Sequence, residues 1–293
     1  MRFPWAGPEL AYGNYKMGKL QSRLCLLAAI VLALLGGWAN SAHAVVLDWD
    51  SATWPAGATN RSFNVDPTNP GSDLAVSFSG STDKFRNDPA TGLATPSINQ
   101  SLEGGMNPVQ NSLNLGVDFH QNSTITCTVN FSAGYTMGVE NVSFTIFNID
   151  FFSSGPESWQ DLIRSISAVS ADGVTMIAPT ITAVGSAVTH SGTGLNQTLT
   201  GNALVPDTGA GSGAGNVTIS FGPNAIRSFT FTYADGLGSK PNPTFQNISI
   251  HDISFTPVPE INPAISAVAS CFVAFGVTVF AQRRAKKRRA LLS

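Results

Sequence analysis

Cysteine is nearly absent. Three occur in 293 residues, and two of them, Cys25 and Cys271, lie in apolar stretches near the ends. Cys127 stands alone between them, so the central chain forms no internal disulfide and its fold must rest on a packed core. In "TITCTVNF" it takes an apolar alternating position, which reads as a buried small hydrophobe rather than a reactive thiol. Charge is also scarce, at 12% of residues. Residues 45–257 carry six Lys/Arg (Arg61, Lys84, Arg86, Arg164, Arg227, Lys240) against sixteen Asp/Glu, a net of −10. A body this acidic excludes nucleic acid and anionic lipid surfaces as partners, since both are polyanions.

Signatures of catalysis are missing too. The body's histidines, His120, His190 and His251, form no HExxH arrangement, and there is no Cys/His cluster for zinc. No GxSxG elbow and no phosphate-cradling glycine loop occurs. Asp118 and His120 fall on one polar face of a strand, a surface pair short of metal partners. Paired carboxylates for glycoside hydrolysis need not be close in sequence, so the sixteen acids single out no pair.

What is present lies first at the ends. Residues 18–44 read as a secretory signal. Lys19 and Arg23 precede an unbroken apolar run at 24–35, Gly36-Gly37 breaks it, and Ala42-His43-Ala44 gives the small-x-small cleavage pattern. Residues 1–16 fit this scheme poorly, and Met17 is the alternative start. An N-terminal membrane anchor is the competing reading, disfavoured because the run is short for a span. Near the other end, 264–282 holds eight strongly apolar residues and no acid or base. They favour insertion by about 2 to 5 kcal/mol. Arg283, Arg284, Lys286, Lys287, Arg288 and Arg289 follow and would hold that end in the cytoplasm.

Val258-Pro259-Glu260, the apolar span and the basic cluster, in that order, resemble the PEP-CTERM sorting signal of Gram-negative bacteria. The likeness covers residues 257–293. It implies an exosortase, a membrane-embedded cysteine transpeptidase-like enzyme, that recognises and cuts near the motif. The chain departs from the pattern at Ile261, where a proline is usual, with Pro263 two residues on. Pro257, Pro259 and Pro263 stiffen the segment and remove backbone donors, keeping it open to an enzyme at the membrane surface. A retained type I anchor is the alternative.

The body shows no long helical period and repeated period-2 alternation. Leu113, Leu115, Val117 and Phe119 share one face, as do Ile125, Cys127, Val129 and Phe131. Val142, Phe144 and Ile146 alternate, then Val217, Ile219 and Phe221, then Phe229, Phe231 and Tyr233. "NISIHDISF" changes phase between Ile250 and Ile253, predicting a bulge at His251-Asp252. "DLAVSFSG" predicts an early strand, and "GVTMIAPTIT" one or two more. "SWQDLIRSI" reads as a turn of helix. Residues 79–111 and 190–216 read as long loops, the second flexible by composition. The expectation is an all-β protein, an antiparallel jelly-roll-like β-sandwich over 45–257, flanked by a signal helix (1–44), a sorting motif (258–263), a transmembrane helix (264–282) and a basic tail (283–293).

"VVLDWD" at the start and "ISIHDISF" at the end resemble the edge strands of galactose-binding and carbohydrate-binding-module jelly rolls. That resemblance implies that the first and last strands pair and that Asp48, Asp50 and Asp252 help to hold a structural calcium, against the alternative of solvated strand ends. Exposed tryptophan stacks on sugar rings, and of Trp49, Trp54 and Trp159 the last is the best candidate for glycan contact. The leading functional reading is a non-enzymatic, exported surface or matrix protein. The cleavage pattern at Ala42-His43-Ala44 makes signal peptidase a processing partner, and the tail's resemblance implies exosortase as another and an association with exopolysaccharide and biofilm. A glycan-binding module is the second reading and a secreted hydrolase the third.

Overall fold

Short runs rich in Val, Ile, Phe and Thr fold here as strands, because branched and aromatic side chains pack well on a pleated, half-buried surface. The computed structural model describes residues 43–259 except Gln121. Residues 1–42 of the signal-like segment, Ala42 among them, lie outside the described residues, as do Glu260, the apolar span and the basic cluster; Ala44 is described and exposed. No helix among the described residues is long and apolar enough to cross a membrane.

The strands are β1 (Val45–Leu47), β2 (Asn60–Phe63), β3 (Leu74–Gly80), β4 (Ser97–Asn99), β5 (Ser112–Val117), β6 (Thr124–Phe131), β7 (Val139–Phe147), β8 (Phe151–Phe152), β9 (Trp159–Ser170), β10 (Met176–Ile177), β11 (Thr180–Val184), β12 (Val188–Ser191), β13 (Thr198–Gly201), β14 (Val217–Gly222), β15 (Ile226–Asp235) and β16 (Gln246–Pro257). All their pairings are antiparallel. One sheet runs β12-β13-β9-β15-β6-β3-β2. The other runs β11-β14-β7-β16-β5-β4. A single bridge between Ile226 and Val139 joins them at a corner. The result is a β-sandwich whose first and last strands are neighbours, Val45 opposite Phe255 and Leu47 opposite Ile253.

The core lies between the sheets. Phe144 of β7 stacks on Phe229 of β15 at 4.7 Å and on Phe231 at 5.9 Å. Phe131 of β6 meets Phe255 of β16 at 5.1 Å. Such pairs add about 0.5–1.5 kcal/mol each beyond area burial. Phe144, Ile146, Phe229, Phe231 and Phe255 are all buried in this one cluster, as their alternation predicts. Cys127 is buried there as well, and burial pushes its thiol above the ordinary range.

The expected bulge is present. The register between β16 and β7 shifts between His251 and Ser254. The turn of helix expected over 158–166 is corrected: the segment begins β9. Trp159, Asp161 and Ile163 are buried, Arg164 and Ser165 both face solvent, and Ile166 returns to the core. Ser165 has φ +52°, and the register against β15 shifts opposite it. This bulge breaks the period-2 count and leaves Leu162, Ile163 and Ile166 at helix-like spacing. The long loop expected over 190–216 is shorter, since β13 lies within it and its glycine-rich end forms a 3-10 turn at Ala210–Gly215.

Within residues 81–111, Ser97–Asn99 pairs along the edge of β5 as β4, while Asp88 and Ser101 cover its outer face at Asn114. The Asp88 carboxylate accepts from Asn99 Nδ2 (3.1 Å), Ser101 Oγ (2.7 Å) and Asn114 Nδ2 (2.9 Å). All six residues of β5 are therefore buried, although every second one is polar or glycine.

Candidate functional site

The strand pairing brings the acids of β1 and β16 to one seam. Asp252, in the bulge, accepts the backbone N–H of Trp49 at 3.0 Å. Asp48 accepts from the Asp50 N–H at 2.8 Å. Asp50 takes two donors from Asn111, its N–H at 3.0 Å and its Nδ2 at 2.8 Å. Burial first, and then the charges of Asp48 and Asp50, raise the Asp252 carboxyl above its usual range. The three acids are thus neighbours, but each commits an oxygen to an N–H donor. Among the described residues no group of three or more Asp, Glu, His or Cys is disposed to hold a metal ion.

The exposed ring expected at Trp159 is not there. Trp159 opens β9 on the inward phase and is 9% exposed. Its indole packs against Phe152, with centroids 5.9 Å apart. Trp49 and Trp54 are buried as well. Asp118 and His120 form no pair; Asp118 meets Arg86 Nε at 3.3 Å and His120 is exposed.

The residues on either side of Trp159, Ser158 and Gln160, anchor a rim. The loop after β15 is fastened to the start of β9: Lys240 N–H donates to Ser158 O at 2.9 Å, Gln160 N–H to Ser239 Oγ at 2.8 Å, and Gly238 N–H to Gln160 Oε1 at 2.8 Å. Two adjoining surface clefts open on this rim. One, about 600 Å³, is lined by Gly155, Pro156, Lys240, Pro241 and Asn242. The other, about 420 Å³, is lined by Asn242, Pro243, Thr244, Phe245, Arg86 and Asp118. Asn242 belongs to both. The lining offers flat proline and phenylalanine surfaces beside an amide, a hydroxyl, an ammonium and a guanidinium–carboxylate pair. Apolar faces flanked by groups that both donate and accept hydrogen bonds suit a polyol ring. Sequence reasoning missed these residues because no motif marks them; "SKPNPTF" reads only as loop.

The most displaced acids lie elsewhere. Burial, above all, pushes Asp150 up to about 7, partly offset by the Val205 N–H. Burial and then the Asp150 charge raise Asp161 well above the carboxylate range. Tyr233 OH donates to Asp161 Oδ1 at 2.6 Å, and the Asp150 N–H to Asp161 Oδ2 at 3.1 Å. Asp150 is 1% exposed and Asp161 0%, so both are sealed from any substrate.

No protein-family model matches the chain, and no curated protein matches it. Solved structures do. The K3 cleaved adhesin domain of Lys-gingipain from Porphyromonas gingivalis is 12% identical over 61% of this chain and 90% of that one, with a TM-score of 0.31. A carbohydrate-binding module with specific mannan recognition is 10% identical over 75% of this chain and 99% of its own, with a TM-score of 0.28. A family 11 carbohydrate-binding module from Clostridium thermocellum, solved with a β-1,3-1,4-mixed-linked tetrasaccharide, is 12% identical over 74% and 96%, with a TM-score of 0.27. At these scores the functional reading rests on the chain's own geometry.

Proposed function

We propose that this chain is an exported surface protein that binds polysaccharide through the rim around Asn242 and catalyses no reaction. The observation that carries the reading is the pair of clefts sharing Asn242, with proline and phenylalanine faces next to hydrogen-bonding groups. Polysaccharide is long and repetitive, and two adjoining shallow clefts match consecutive sugar rings better than one deep pocket would. The tail belongs to the same reading. An exosortase cuts near Pro259-Glu260 and releases or transfers the sandwich into the extracellular polysaccharide, where a binding rim is of use.

Affinity electrophoresis of the full chain through gels containing mannan, mixed-linked β-glucan or the host's own exopolysaccharide tests the reading. At least one should retard the protein. Asn242→Ala should weaken retardation about two- to tenfold, the range for one neutral hydrogen bond. No retardation by any of the three, or equal retardation of the variant, contradicts the rim as a glycan site.

A further inference from the structure

A third cleft, of about 430 Å³, opens away from the rim. Val46, Asp48, Ser51, Ala52, Thr53, Arg61, Ser62, Phe63, Asn64 and Val65 line it. Arg61 sits on β2, an edge strand paired only with β3. It shares the inward phase with buried Phe63, and its guanidinium lies 5.8 Å from that ring's centroid. An inward-pointing charge blunts an edge strand against unwanted pairing, but it does not explain how little the guanidinium is bonded. Nη2 donates to Thr53 Oγ1 at 2.7 Å, while Nε is buried and has no acceptor among the described residues. Lys84 and Arg86 both pair with aspartates. Arg61 forms no ion pair among the described residues, although Asp48 lines the same cleft and the body carries sixteen acids.

We infer that this cleft binds an acidic sugar residue, with Arg61 taking its carboxylate. A guanidinium carries five donors in a planar fork suited to carboxylate. A ligand carboxylate in the cleft accepts from the Nη groups beside the Thr53 bond, while buried Nε stays out of its reach. Asp48, Ser51, Ser62 and Asn64 supply acceptors and donors for ring hydroxyls. A uronic acid joins both chemistries in one ring. The −10 body repels a dense polyanion, so the ligand is an isolated uronate within an otherwise neutral polymer. This site is separate from the rim and does not rest on it.

Calorimetric titration of the full chain with methyl β-glucuronide and methyl β-glucoside is the test. The glucuronide should bind at least tenfold tighter, and added salt should narrow the difference. Arg61→Gln should remove the preference. Arg61→Lys keeps the charge but loses the fork, and should weaken glucuronide binding by about tenfold while folding normally by thermal melt. Asn242→Ala should leave glucuronide binding unchanged, whatever it does at the rim. Equal affinity for the two sugars, binding of neither, a preference that survives Arg61→Gln, or displacement by acetate as potent as by the glucuronide would each overturn the inference.

Discussion

Asp252 Oδ1 accepts the backbone N–H of Trp49 at 3.0 Å, so the bulge of the last strand holds the chain where it leaves the first. Trp49 is fully buried, and removing the acceptor leaves its N–H without a partner. Asp252→Ala should cost about 1–3 kcal/mol in urea denaturation, the range for an orphaned buried donor. Asp252→Asn keeps an oxygen there, removes a charge beside Asp48 and Asp50, and should cost far less. Equal losses in the two variants would show that the carboxylate charge, not the acceptor, matters at this seam.

The sandwich predicts opposite outcomes for neighbouring residues of β15. Phe231 is 1% exposed and stacks on Phe144, whereas Thr230 and Thr232 point to the other face. Thr232 Oγ1 meets Thr126 Oγ1 at 3.2 Å, a cross-strand pair worth about 0.2–1 kcal/mol. Phe231→Ala should cost about 3–5 kcal/mol, and either threonine to alanine less than about 1. Three equal values would place the register of β15 wrongly.

Stability should fall as pH rises through neutrality. Asp150 titrates near 7 in the fold, and Asp161 lies well above the ordinary range. An unfolded aspartate titrates at about 3.9. The folded state therefore binds more protons between about pH 4 and 7, and stability present at the acid end is lost as pH climbs. Asp66 and Asp172, held below the usual range, are essentially ionised in both states above about pH 5 and do not offset the loss there. The melting temperature should drop from pH 5 to pH 8, and Asp161→Asn should flatten the drop. A melting temperature that is level or rising over that interval contradicts the buried dyad.

Strands with unbroken alternation were legible from sequence: β5, β6, β7, β14 and β15 each show an apolar face that proves buried. The phase change at His251-Asp252 was legible for the same reason. β9 was not, because its bulge at Arg164-Ser165 resets the count mid-strand. β4 and β13 are too short to show a period, with three and four residues. Alternation also misjudged exposure. Asn114 and Ser112 read as solvent-facing, yet the Asp88 loop covers them, a tertiary fact that strand periodicity does not carry. The rim was illegible because tryptophan drew attention to Trp159. Its ring turns inward against Phe152, while its neighbours Ser158 and Gln160 hold the loop whose prolines, amide and phenylalanine line the clefts.

The tail makes its own prediction. Pro259 is exposed beyond the end of β16, outside any strand. If Pro259-Glu260 is a sorting motif, intact-mass measurement of the exported protein from the native host should show a chain lacking residues 264–293. A mature C-terminus at Ser293, recovered with the inner membrane, would reduce the tail to an anchor.

Hydrogen–deuterium exchange of the full chain, with and without a polysaccharide that retards it, bears most directly on the central claim. Binding at the rim should slow exchange in peptides covering residues 155–160 and 238–245 and leave the β11 edge at Thr180–Val184 unchanged. Protection confined to other surfaces, with the rim unchanged, would contradict the assignment of glycan binding to the clefts around Asn242.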